Sequence, residues 1–359
     1  MKVPLAWLAD FLDELPEAAE LASGLTLAGL EVEGVRELDP RLADHLVIAR
    51  IDAIEPHPNA DRLSVCTVDD GTTRRTIVCG ARNMAPGDFA VLALPGAVLP
   101  SGLKIGKARI RGVESEGMLC SAAELDLYDD HTGILILGGQ LEPGAPAASV
   151  LGLAAPVLEI AVTPNRGDCL SIRGVAREVA AVFGLGLSER FGAQPNVPAG
   201  PSTYEVRIED RDACPFYRGI EVDGVTVGSS PAWLAGRLAA AGLRPLSNVV
   251  DVTNYVLLEY GQPLHAFDRD RLVGTTIFVR RLAAAAQVET LDGQQRRLAP
   301  GDTVIADAEG PVAIAGVMGG ARTAVSHNTT RLFLESAVFD ARQVRRTSRR
   351  LGLVSESSY

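Results

Sequence analysis

HPNADRLSVCTVD (57–69), IVCGARN (77–83), LPGAVLP (94–100) and KIGKARIRGVESEGMLCS (104–121) follow one another in a single stretch of this chain. Short apolar runs alternate there with Gly, Pro and Asn about every ten residues, the rhythm of a small closed β-barrel. Lys104, Lys107, Arg109 and Arg111 fall within the eight residues 104–111. Alternation along a strand places Lys107, Arg109 and Arg111 on one side and Ile110 on the other. Arg82, in the CGARN turn, extends that surface. Such a cationic face suits a nucleic-acid backbone, and it is equally what the solvated face of an ordinary strand looks like.

The rest of the composition limits how far that reading extends. The 359 residues carry a formal net charge of −11, so any nucleic-acid contact is a local patch rather than a coat. A chain of this length predicts two or three domains. Cys66, Cys79, Cys120, Cys169 and Cys214 are odd in number and lack C-x-x-C spacing. That favours buried reduced thiols over a disulfide framework or a metal site. No apolar run approaches the roughly 20 residues of a membrane span, and Asp10 and Asp13 come too early for a signal peptide. The expected setting is cytoplasmic, with no membrane partner.

Upstream of the barrel, residues 1–40 predict a short strand and two helices, the second with Pro16 in its first turn. Downstream, Val157 to Val162 reads as a strand. Ile172, Val175, Ala176, Val179, Val182 and Phe183 then share one helical face that Gly184 terminates. Asn196-Val-Pro-Ala-Gly-Pro-Ser202 is the best linker in the chain. Beyond it the pattern is mixed α/β. Ser230-Pro231 predicts an N-cap and first-turn proline. Val249, Val252, Val256 and Tyr260 have helical spacing, Leu291-Asp292-Gly293-Gln294 predicts a hairpin turn, and Asp340 predicts the cap of a final helix bearing Arg345, Arg346, Arg349 and Arg350.

Three segments of this last part are chemically unusual: NVVDVTNY (248–255), QPLHAFD (262–268) and AGVMGG (315–320), with Glu335 after them. Asn254 interrupts an apolar helix face, and Glu335 shares a strand face with Phe333 and Ala337. A buried polar group without a partner costs about 1–3 kcal/mol, so together they suggest a pocket whose ligand supplies hydrogen bonds. Gly316, Gly319 and Gly320 let backbone amides approach a substrate. Each residue also has a plain structural reading: Asn254 as a structural hydrogen-bonder, His265 as a satisfied turn or core histidine, Glu335 swung outward. The glycines lack the G-K-[ST] ending of a phosphate loop.

The barrel blocks resemble the OB-fold tRNA-binding module of bacterial phenylalanyl-tRNA synthetase beta subunits. The opening MKVPLAWLADFLD, the stretch RPLSNVVDVTNYVLLEYGQPLHAFD, AGVMGG and LES resemble the same beta subunit. The resemblance covers essentially the whole chain, and it implies the N-terminal portion of a longer, C-terminally continued beta chain. The implied fold class is α+β multidomain. Residues 1–40 plus 152–195 form a discontinuous small α/β domain, 41–150 an OB-fold barrel inserted in it, and 201–359 a mixed α/β editing domain.

In the family that last domain hydrolyses tyrosine wrongly attached to the tRNA for phenylalanine. Carried over, His265 and Asn254 match positions near the scissile ester and terminal ribose, and Glu335 matches the acceptor for the tyrosine hydroxyl. Pro263, Ala315 and Gly316 match pocket walls and backbone donors, and Arg244 a basic residue at the rim. A synthetic pocket rejects an isostere with one added hydroxyl by only about a hundredfold. A second site with a buried hydroxyl acceptor inverts that preference. His265 would position the attacking water and the amides near Gly316 would stabilise the oxyanion.

The implied partners are tRNA(Phe), held by Lys104, Lys107, Arg109, Arg111 and Arg82, and the alpha subunit in an assembly of two alpha and two beta chains. ATP and Mg2+ belong to the intact synthetase. No cofactor or metal is expected in this chain. The competing expectation is a non-catalytic tRNA-binding and scaffolding module.

Overall fold

A computed structural model of the chain describes residues 1–192, 200 and 202–355. It divides into two compact units: Met1–Ala193 with Ser229–Asp251 and Leu258–Gly261, and Gln194–Gly228 with Val252–Leu257 and Gln262–Tyr359. The expected linker lies outside the described residues except for Gly200 and Ser202.

In the first unit a three-stranded antiparallel sheet sets Val157–Ala161 between Lys2–Pro4 and Glu31–Arg36. The strand Glu31–Arg36 was not expected. Its sequence EVEGVR spaces the two valines three apart around Gly34, which hides the period-2 signal. The helix Ile172–Phe183 forms where the apolar spacing predicts it. The Ser171 side chain accepts from the Gly174 amide at 3.0 Å, and Gly184 ends the helix at φ +68°. Ile172, Val175, Ala176 and Val179 are buried, whereas Val182 faces solvent. Helix Ala18–Leu27 starts after an extended Glu17 (ψ 146°), so Pro16 stands before the helix and not in its first turn.

The barrel region is a six-stranded sheet in which Ile136–Leu137, Phe89–Ala93, Leu46–Pro56, Ser64–Asp69 and Arg74–Cys79 lie in that order, with Met118–Leu119 also on Phe89–Ala93. It is nearly closed. The Glu116 amide donates to Thr76 O at 2.9 Å, and the Val78 amide to Ser115 Oγ at 3.0 Å, tying the Arg74–Cys79 edge to the segment that leads into Met118. Ile51, Val68, Ile77 and Leu92 fill its interior.

Helix Asn248–Tyr260 exists, but its buried face differs from the apolar spacing. Val252 and Tyr260 are 48% and 49% exposed, while Val249, Asp251 and Glu259 are buried. Both acids are satisfied within the first unit. Asp251 accepts from the Leu246 amide at 2.8 Å and from the Ser230 hydroxyl. Glu259 accepts from Trp7 Nε1 at 2.9 Å and faces Arg190 at 3.4 Å. Ser230 is therefore engaged with Asp251 and makes no cap: helix Ala232–Ala240 begins after an extended Pro231 without a side-chain cap.

The second unit holds two sheets and a hairpin. The five-stranded sheet runs Glu205–Ile208, Thr276–Arg281, Thr303–Ala306, Pro311–Ile314, Met318–Gly319, its first pair parallel and the others antiparallel. The three-stranded sheet is antiparallel, with Arg331–Val338 between Phe216–Asp223 and Leu264–Asp268. Phe267, Ile277, Val279, Val312 and Phe333 form the core they share. Ala286–Glu289 and Gln295–Leu298 form the hairpin, turning through Gly293. Asp340 caps the last helix, Ala341–Leu351, by accepting from the Gln343 amide at 2.9 Å.

Candidate functional site

The register of the three-stranded sheet places the unusual side chains together. Glu335 on the central strand stands opposite His265 on one neighbour and Gly219 on the other. Residues paired this way present their side chains on the same face. Tyr217, two residues from Gly219, is on that face too and donates its phenolic hydrogen to Glu335 Oε2 at 2.8 Å. Gly219 is bare by necessity, because a Cβ there would lie 2.0 Å from the Phe333 ring.

This face forms part of the wall of a cavity of about 300 Å³ whose lining includes Pro263, His265, Gly316, Met318, Gly319 and Glu335. Glu335 is only 6% exposed, and no cation pairs with it among the described residues. Burial pushes its carboxyl up to about 8 against the opposing pull of the Tyr217 hydrogen bond, so it carries a proton at neutral pH. The same burial and the neighbouring carboxyl raise the Tyr217 phenol well above its ordinary value. A protonated carboxyl offers both a donor and an acceptor, which an ionised one does not.

His265 is held differently. Its ring meets Phe267 edge-on with centroids 4.4 Å apart, and Nε2 is sealed from solvent without a hydrogen-bond partner. Desolvation pulls the imidazole down to about 4, leaving it neutral at pH 7. Gly319 makes room for it: a Cβ there would stand 2.6 Å from Nε2.

Of the expected backbone donors, the Ala315 amide is engaged with Thr303 O at 3.1 Å and the Val317 amide with Ile314 O at 3.0 Å. Gly316 lies between them with φ +66° and contributes to the cavity wall. Ala315 itself is 3% exposed and, contrary to expectation, is not among the residues that line the cavity. Asn254 is half-buried and is not among the lining residues. Arg244 belongs to the first unit, where it pairs with Asp130 at 3.4 Å. The sequence reading missed Tyr217. Its only local signal is the alternation of Tyr217 with Gly219 in PFYRGIEVD.

On the barrel, Lys104, Lys107, Arg109, Arg111 and Arg82 are all exposed. They do not share one strand face. The strand is only Ala108–Ile110, and Arg111 sits at φ +47° in a two-residue turn with Gly112. Lys107 pairs with Glu116 at 2.6 Å, and Arg82 donates to Asp61 O at 2.7 Å. His57 Nε2 donates to Ile110 O at 3.0 Å while its Nδ1 accepts from the Asn59 amide, and Asn59 Nδ2 donates to Arg111 O at 3.1 Å. The HPNAD segment thus clamps the tip of the basic hairpin.

Among the described residues, Asp168, Cys169 and Glu178 have ligand atoms close enough for a metal. The Arg166 guanidinium fills that position, pairing with Asp168 at 2.9 Å and with Glu178 at 2.8 Å.

Residues 46–146 match the family model "Putative tRNA binding domain" and residues 213–359 the B3/4 domain. The chain is 48% identical over 360 residues to the phenylalanine–tRNA ligase beta subunit of Geobacter metallireducens. It is 50% identical over 367 residues to that of Moorella thermoacetica. Each alignment takes in 100% of this chain and 45% of the relative, so the chain spans under half the length of the relatives it matches. Among solved structures, an N-terminal fragment of the phenylalanyl-tRNA synthetase beta subunit from Pyrococcus horikoshii aligns over 55% of this chain and 61% of its own, at 13% identity and a TM-score of 0.30. The unbroken sequence likeness and the two domain matches make the chain highly similar, over its whole length, to an N-terminal portion of phenylalanine–tRNA ligase beta subunits.

Proposed function

We propose that the second unit hydrolyses tyrosine wrongly esterified to tRNA(Phe), and that the barrel of the first unit binds that tRNA. The observation that carries this reading is a buried Glu335 carboxyl opposite His265, whose Nε2 has no hydrogen-bond partner, on one cavity wall. A phenol entering the cavity finds a carboxyl able to donate to or accept from its hydroxyl. Phenylalanine leaves unpaired the carboxyl oxygen that Tyr217 does not hold, which costs about 1–3 kcal/mol and favours tyrosine. His265, which lines the cavity, orients the attacking water through Nδ1, Nε2 being sealed from solvent. With a pKa near 4 it is a hydrogen-bond acceptor rather than a group that keeps the proton. Water adds to the ester carbonyl, the ribose oxygen departs with the proton, and the Gly316 amide stabilises the oxyanion.

In this reading the domains are residues 1–40 with 152–195, 41–150 and 201–359. The partner is the alpha subunit, two alpha with two beta chains. Phenylalanine activation with ATP and Mg2+ falls to the alpha subunit. The donor set Asp168, Cys169 and Glu178 does not suit a metal while Arg166 bridges it, so no step here passes through one.

The test is release of tyrosine from Tyr-tRNA(Phe) by this chain, with Phe-tRNA(Phe) as the control. Tyrosine should be released faster, and His265→Ala should lower the rate by about a hundredfold or more. Glu335→Ala should collapse the preference for tyrosine. Equal hydrolysis of both esters would remove the selectivity for tyrosine, and no hydrolysis of either would leave a tRNA-binding scaffold.

A further inference from the structure

Helix Ala341–Leu351 has two chemically opposite faces. Thr347 and Ser348 are buried, Val344 and Leu351 pack on the core, and Ala341 and Val344 line the cavity that holds His265 and Glu335. Outward, Arg342, Arg345, Arg346 and Arg349 are all exposed. Their spacing is i, i+3, i+4, i+7, which stacks them in one stripe.

That stripe disfavours the helix. Like charges three and four residues apart repel, and Arg342 lies in the first turn, where the helix dipole opposes a cation and the Asp340 carboxylate is engaged in capping the Gln343 amide. None of the four has a carboxylate within ion-pair distance among the described residues. Most other arginines of the second unit do: Arg269, Arg322 and Arg331 are paired, and so is Arg350 on this same helix, with Asp302. In a chain of net charge −11, four unneutralised guanidiniums in a row call for an external anion.

We propose that this stripe is a docking surface for a nucleic-acid strand whose end enters the cavity behind the helix. The identity of the strand as tRNA rests on the function proposed above. Seven residues at 1.5 Å rise span about 10 Å, the length of about three phosphates at roughly 3.4 Å per strand charge. The exposed stripe carries no apolar side chain, whereas a protein interface is built on an apolar core.

The test compares this chain with Arg342→Gln/Arg346→Gln/Arg349→Gln, measuring affinity for an uncharged tRNA(Phe) transcript across a salt series. Three lost contacts should lower the salt slope by about 2–3. The unfolding midpoint should stay or rise as repulsion is relieved, and a fall would assign the arginines to the fold and overturn the proposal. An unchanged slope would overturn it, as would loss of alpha-subunit association with tRNA binding intact. Arg109→Gln/Arg111→Gln reports on the barrel independently. If the stripe variant lowers the slope while His265→Ala leaves hydrolysis unaffected, the docking surface stands and the hydrolytic reading falls.

Discussion

Tyr217 and Glu335, on neighbouring strands, share a 2.8 Å hydrogen bond inside the second unit. The phenol of the chain itself thus holds one carboxyl oxygen in place, and the other has no hydrogen-bond partner among the described residues. The site proposed above to take a tyrosine side chain has a tyrosine as its own support.

The first prediction concerns pH. Glu335 has a folded pKa of about 8 against 4.5 for the ordinary group, so its contribution is complete below pH 4.5 and is lost as pH rises through 8. His265 has the opposite shift, about 4 against 6.5, and its contribution is complete above pH 6.5 and is lost as pH falls through 4. Above pH 6.5 only the Glu335 effect remains. Stability should fall by about 2 kcal/mol between pH 6.5 and 8. Glu335→Gln should remove that slope in urea unfolding. An identical slope in the variant would place the proton elsewhere.

The second prediction concerns Gly319. An alanine Cβ would sit 2.3 Å from His265 Cε1, so the imidazole must leave its place against Phe267. Gly319→Ala should destabilise by about 1–3 kcal/mol, the cost of overpacking, and should shift the His265 ring resonances in an NMR spectrum. Unmoved resonances would show that the backbone gives way instead.

The third prediction concerns Trp7 and Glu259, in contact at 2.9 Å although 252 residues apart in sequence. Trp7→Phe leaves a buried carboxylate with the more distant Arg190 alone, and should cost about 1–3 kcal/mol. Adding Glu259→Leu should recover part of that loss, since no charged group then lacks its donor. Strictly additive losses in chemical denaturation would argue against direct coupling.

These pairs also mark how far the sequence could be read. The helix Ile172–Phe183 was legible because its apolar period and both caps are local. The helix Asn248–Tyr260 was legible as a helix and not as to its buried face. The groups that let Asp251 and Glu259 go inside are Ser230 and Trp7, supplied by distant segments. In the cavity, His265 and Glu335 stood out as polar residues in apolar settings. Tyr217 did not, because only strand register brings it within reach of a carboxyl 118 positions away. The basic hairpin failed at finer grain: a strand period was extended through Arg111, where the backbone already turns.

The five cysteines are all buried and unpaired, four in the first unit and Cys214 in the second. Burial also moves the thiols away from their reactive anionic form, Cys66 and Cys120 to about 12 and Cys169 and Cys214 to about 11. An alkylating reagent therefore meets no ready nucleophile while the chain stays folded. Modification of Cys214 alone is a chemical record that one half has opened while the other has kept its shape.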